Sequence, residues 1–224
     1  MSLDKRKTDP ILGEKVKEHL IKLGVETPMT TETLHSSELR KSMIADKVKE
    51  IMQLLGLDTK DDSLVKTPSR IANMYMEEVF WGLNYDYFPK TMVIENKMQY
   101  DSVLLERRIK VHSMCEHHFV PIIGEAFVAY IPGTKVIGLS KINRIVEFFC
   151  RRPQVQERLC EQIYHALVYL LETEDVAVLI RAEHCCVKLR GVEDMNSDTI
   201  TSKIGGAFIS GTLRNEFYQM IREE

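Results

Sequence analysis

The stretch Val103–Ile131, VLLERRIKVHSMCEHHFVPIIGEAFVAYI, decides how the chain is read. Ile109 and Val111 alternate with Lys110 and His112, the period of two that sends successive side chains to opposite faces of a strand. A second β-rich run, Ile122–Ile131, ends at the turn Pro132-Gly133. The two runs predict an antiparallel pair, with the polar block Met114-Cys115-Glu116-His117-His118 where the first strand ends.

Downstream the period becomes helical. A helix from Ser140, with Ser140 as a plausible N-cap, turns Ile142, Ile145, Val146 and Phe149 inward. A second, from Pro153, does the same with Val155, Leu159, Ile163, Leu167 and Leu170. Two more strands follow, about residues 175–190 and 198–209, before a short helix carrying Leu213, Phe217 and Met220. The order ββααββα, with hairpin-length connections, indicates an α+β architecture with helices on one face of an antiparallel sheet.

Upstream the chain reads as a polar arm and helices. One helix is expected near residues 10–23. Another carries Ile44, Val48, Ile51 and Leu55 at helical spacing, with Gly56 placed for a left-handed C-cap. Thr67-Pro68 gives an N-cap and a first-turn proline to a third, which aligns Ile71, Met74, Tyr75 and Val79. Residues 1–95 are thus read as a helical region suited to oligomer contacts, and 96–224 as the catalytic domain.

With 224 residues, 44% of them hydrophobic, the chain can build an ordinary packed core. Thirty Lys and Arg against 33 Asp and Glu leave a net charge of -3, which gives no drive toward nucleic acid or an anionic membrane. No segment approaches the roughly 18 apolar residues of a membrane span, and MSLDKRKTDP has no apolar run behind its charges, so the expected compartment is the cytoplasm. The five cysteines, an odd set, favour thiols or metal ligands over a disulfide framework.

Cys115 and His118 put a thiolate and an imidazole three residues apart, a workable local ligand pair. His184-Cys185-Cys186 offers a third ligand. In a strand that runs to Arg190, His184, Cys186, Lys188 and Arg190 share one face and Cys185 points away, which favours Cys186 as the ligand, with His184 next to the metal. Taken one at a time, each cysteine is as readily a buried small hydrophobe. Four Cys and His residues in two strand-end clusters argue jointly for a metal, and three ligands with a spare histidine suggest a catalytic site.

Lys141 and Arg144 lie in the first turns of the helix after Gly138-Leu139, where cations oppose the helix dipole. An anion bound there would resolve the conflict, with Lys188 and Arg190 available to close the other side. The bland alternative, two solvated cations on an outer helix face, fits the spacing equally well. Gln156 and Glu157 open the next helix; the carboxylate suits the dipole without any function, yet such a pair could also accept the donor edge of a guanine.

At these residues the sequence closely resembles the bacterial type of GTP cyclohydrolase I, an enzyme family of folate and tetrahydropterin synthesis. The likeness runs from Thr67-Pro68-Ser69-Arg70-Ile71 through Cys115-Glu116-His117-His118, Gly138–Arg144, Arg152–Arg158 and His184–Lys188 to Arg190-Gly191, and more loosely over the helical N-terminal part. It implies conversion of GTP and water to formate and 7,8-dihydroneopterin triphosphate, on a T-fold whose subunits assemble as a homo-oligomer, a toroidal decamer of two pentamers. It further implies zinc bound by Cys115, His118 and Cys186, with His117 and His184 as acid/base groups and Ser140 sharing in proton transfer. Gln156 and Glu157 would hold guanine, Lys141, Arg144 and Arg190 the triphosphate, and Arg70 would reach in from a neighbouring subunit.

Two positions depart from the family's pattern: Cys185 stands where tyrosine is expected, and Asn73 where a basic residue is expected. Other enzymes of the same fold, a pterin aldolase or a nitrile reductase, lack this cysteine and histidine set. A non-catalytic zinc-stabilised purine-binding ring scaffold would have no need of His117 and His184.

Overall fold

The computed structural model describes residues 4–30, 35–209 and 211–222. Part of the expected polar arm, residues 1–3, and residues 31–34 lie outside the described residues. The chain divides into two compact units, one of Pro28–Trp81 and one of Asp4–Thr27 with the chain from Gly82 onward.

The smaller unit is helical. Its first helix, α2 (Ser37–Leu54), is capped by the Ser36 hydroxyl, which accepts from the Leu39 amide. Gly56, at φ 80°, ends it in the left-handed conformation that glycine adopts without steric cost. The next helix, α3 (Thr67–Asn73), has Pro68 in its first turn and Lys66 rather than Thr67 at the cap position, and it continues as a π-helical segment, Met74–Val79. Lys41 joins Glu38 at 2.9 Å and Glu77 at 2.5 Å.

In the larger unit, α1 (Pro10–Lys22) starts where the Asp9 carboxylate accepts from the Leu12 amide and Pro10 occupies the first turn. The sheet is built from β2 (Leu104–Cys115), β3 (Pro121–Tyr130), β5 (Pro153–Gln154), β6 (Val176–His184) and β7 (Thr199–Ile204), in the order β5-β2-β3-β6-β7. A separate pair joins β1 (Val93–Glu95) to β4 (Lys135–Ile137). All neighbours in the main sheet are antiparallel except β5, which runs parallel to β2.

Between the strands lie α4 (Leu139–Cys150) and α5 (Gln156–Leu171). Their apolar stripes bury Ile142, Ile145, Val146, Phe148 and Phe149 from one and Leu159, Ile163, Leu167 and Leu171 from the other. A last helix, α7 (Thr212–Arg222), packs Phe217 with Phe208 against Phe127, Ala129, Ala177 and Leu179. Those strand residues alternate with buried Ala126, Val128, Val178 and Ile180, so both faces of β3 and β6 are covered. This corrects the expectation of helices on one face alone.

Four boundaries also differ from the sequence reading; one is β7, which ends at Ile204, five residues short of the expected strand end. The helix α4 begins at Leu139 with Gly138 at its cap position, so Ser140 lies inside the first turn and does not cap it. Pro153 and Gln154 precede α5 as a short edge strand, a place where proline's missing N–H is tolerated. Finally, β6 stops at His184, and Cys185–Lys188 form one helical turn, α6, closed by Leu189 N–H donating to Cys185 O at 2.9 Å.

A buried ion pair fastens the N-terminal segment to this unit. Arg152 is fully buried; its Nη1 lies 2.9 Å from Glu26 Oε1, its Nη2 donates to Gly82 O, and the Tyr85 hydroxyl also donates to Glu26. The guanidinium is flanked by the rings of Tyr85, Phe148 and Phe149 at 4.8 to 5.1 Å. Burial, the largest effect, pushes the Tyr85 hydroxyl well above its ordinary pKa.

A candidate metal centre and active site

The sheet register gathers the chemistry at one end. Met114 on β2 pairs with Pro121 on β3, and Ile122 on β3 pairs with His184 on β6, so the end of β2 and the end of β6 lie beside the start of β3. Parallel pairing sets Cys115 opposite Gln154, which brings the start of α5 to the same place. The loop between β2 and β3 is held by Cys115 N–H to Val120 O at 2.8 Å and Phe119 N–H to Cys115 O at 2.9 Å. Phe119 takes φ 51° to close it, an uncommon conformation for a residue with a side chain.

Among the described residues, Cys115, His118 and Cys186 form a cluster whose potential ligand atoms all lie within 4.8 Å of one another. Two sulfurs and one imidazole nitrogen suit a zinc ion bound at about 2.0–2.3 Å per ligand, with a fourth position left for water. Cys186 reaches this cluster from the helical turn α6, so strand alternation does not account for its placement. Burial, and then the Cys115 thiol beside it, raise the pKa of Cys186. Cys150 and Cys160, pushed up to about 12 by burial, are free thiols of the core.

His117 is exposed, with Nδ1 3.9 Å from Cys115 Sγ and Nε2 3.8 Å from Glu116 Oε1. His184 is half-buried, and its Nε2 lies 2.8 Å from Gln156 Oε1. Burial lowers its pKa, while Glu157 acts in the opposite direction. Gln156 is buried and Glu157 exposed, both in the first turn of α5.

Arg190, exposed just past α6, donates from Nη1 to His118 Nε2 at 2.9 Å, which sets a cation directly against the cysteine and histidine cluster. Lys141 and Arg144 are half-buried and Ser140 exposed along the start of α4. Burial, and then the neighbouring cations Arg144, Lys7 and Lys90, hold the Lys141 ammonium below its ordinary pKa. A bound anion would relieve that crowding. Arg70 is exposed on the Thr67–Asn73 helix of the other compact unit.

Two partnerships escaped the sequence reading. Arg158 on α5 grips Glu116 with both of its Nη nitrogens, at 2.5 and 3.4 Å. The Gln156 amide is engaged by β6 and β7 as well as by His184. Glu116 and Arg158 are 42 residues apart, and the parallel β2–β5 pairing helps to bring them together.

Residues 44–222 match the profile of the GTP cyclohydrolase I family. The GTP cyclohydrolase 1 of Haemophilus ducreyi is 50% identical over 212 residues, spanning 94% of this chain and 97% of that protein. Those of Edwardsiella ictaluri and Escherichia coli are each 55% identical, over 208 and 210 residues, spanning 92% of this chain and 94% of theirs. The chain therefore belongs to the GTP cyclohydrolase I family, a family of enzymes.

Proposed function

We propose that this protein is a zinc-dependent GTP cyclohydrolase that converts GTP and water to formate and 7,8-dihydroneopterin triphosphate, the first step toward folate or tetrahydropterin. The observation that carries the reading is the meeting of Cys115, His118 and Cys186 beside His184, in a chain of this family. Those three residues would hold the ion. When bound there, zinc supplies a Lewis acid that makes water nucleophilic near neutral pH.

The chain's own groups then have defined tasks. His184 and His117 move protons to and from the purine nitrogens as the imidazole ring opens and formate is cut away. Ser140 joins the histidines in proton transfer while the ribose opens to a ketose, whose carbonyl condenses with the freed amine. Two hydrolytic steps consume two waters and the condensation returns one, so one water is consumed overall. Glu157, with its carboxylate exposed at the mouth of α5, accepts from the ring N–H and amino group of guanine. Lys141, Arg144 and Arg190 bind the triphosphate.

In this reading residues 96–224 are the catalytic domain, a T-fold, and residues 1–95 contribute subunit contacts in a ring of two pentamers. Leu54 and Leu55, 87% and 72% exposed at the end of the Ser37–Leu54 helix, suit burial by another copy. Arg70 would serve a neighbouring subunit's site. Five free thiols suit the reducing cytoplasm.

Zinc-loaded protein incubated with GTP should release formate and the pterin in equal amounts, the latter read by fluorescence after oxidation. No formate from a folded, zinc-loaded oligomer would leave a nucleotide-binding scaffold in its place.

A further inference from the structure

We infer that Gln156 is a positioning residue that acts through His184 and does not contact the purine. The inference rests on the cyclohydrolase reading above and departs from the guanine-binding role that the resemblance implies for Gln156.

Gln156 is 1% exposed, and both ends of its amide are committed within the protein. Nε2 lies 3.1 Å from Ile180 O, 2.9 Å from Thr199 O and 3.1 Å from Thr201 Oγ1. Carbonyl oxygens only accept, so the end of the amide facing them must be its NH2. Ile180 and Thr201 are register partners, so the amide is anchored where β6 and β7 are joined.

The amide oxygen is thereby turned to His184, whose Nε2 stands 2.8 Å away. An amide oxygen cannot donate, so the hydrogen bond must come from the imidazole. A neutral imidazole carries one N–H, and here it is at Nε2, which leaves Nδ1 as the ring nitrogen able to exchange a proton with a ligand. Gln156 thus selects both the orientation and the tautomer of the histidine assigned to proton transfer. To bind guanine it would have to surrender bonds that tie β6, β7 and His184 together, whereas Glu157 beside it is exposed and available.

The test uses zinc-loaded protein and Gln156→Met, which keeps the side chain's bulk and removes the amide. Formate release should fall on the order of a hundredfold in kcat, while KM for GTP and Kd for 7-deaza-GTP, which lacks the nitrogen needed for ring opening, stay within about twofold. A Kd weakened by about tenfold or more, with kcat retained, would overturn the inference and restore a guanine contact. Should the variant fail to fold, the solid-state 15N spectrum of the histidine-labelled parent at pH 8 decides, with the His184 signal assigned by its loss in His184→Asn. Protonated Nε2 with bare Nδ1 is expected, and the opposite tautomer overturns the inference. If the parent releases no formate, the cyclohydrolase reading fails alone, and the tautomer still decides the Gln156–His184 pair.

Discussion

Arg158 holds Glu116 by two hydrogen bonds, Nη1 to Oε2 at 2.5 Å and Nη2 to Oε1 at 3.4 Å, and so ties the β2–β3 loop to the first turn of α5. Glu116 stands between Cys115 and His117, and its amide donates to Gln154 O at 3.0 Å. The cysteine and histidine loop and the helix end that carries Glu157 are therefore one construction. Both side chains are half-buried and the pair is two-pronged, a stronger arrangement than an exposed ion pair. Arg158→Ala should fold, yet bind zinc on the order of 10- to 100-fold more weakly, as loss of a residue that supports ligands usually does. Titration against a zinc-buffering chelator measures this, and an unchanged zinc affinity would contradict it.

The Glu26–Arg152 pair is a buried polar tie between the segment after α1 and the rest of its compact unit. Removing one partner strands a charge that is fully buried among aromatic rings. Glu26→Ala should therefore cost about 3–5 kcal/mol in stability, read from a denaturant titration. A loss under about 1 kcal/mol would mean that water reaches Arg152 and screens it.

Zinc uptake should release protons. Burial, followed by the adjacent Cys115 thiol, raises Cys186, so its thiol is protonated at neutral pH, whereas zinc takes the thiolate. Zinc affinity is expected to climb with pH across the range below the thiol pKa. Calorimetry in buffers of different ionisation enthalpy reads the protons released, and a heat independent of buffer would refute the expectation.

Stability should also depend on pH in the histidine range. His165 and His184, both half-buried, have lowered pKa values, chiefly through burial. In the window between their folded values and the ordinary 6.5, the unfolded chain binds more protons than the folded one, so stability rises with pH through that window. It is fully present above 6.5 and is lost as pH falls below. Melting of the zinc-free protein from about pH 5 to 8 should show Tm rising and then levelling, and a Tm that falls over this range would be inconsistent with the burial of these rings.

What could be read from the chain alone was what local periodicity encodes. The alternation around Ile109 and Val111 and the stripes of Ile142–Phe149 and Leu159–Leu170 correspond to β2, α4 and α5, because each buries one regular face. The end of β6 was not legible, since Cys185-Cys186-Val187-Lys188 carries no proline or glycine to announce a change from strand to helical turn. Nor was β5, two residues long and defined only by its partner β2. The partnerships of Gln156 and Glu116 depend on register between distant strands, which no local pattern contains. Asn73 and Cys185, the two departures noted in the sequence, gain no explanation from their surroundings.

The central claim is that Cys115, His118 and Cys186, without Cys185, hold a zinc ion on which turnover of GTP depends. The most direct test compares zinc content and formate release in the parent, Cys186→Ser and Cys185→Ser. The account predicts that Cys186→Ser loses both, while Cys185→Ser keeps one zinc per chain and most of its formate release. Zinc retained by Cys186→Ser, or lost from Cys185→Ser, would contradict it.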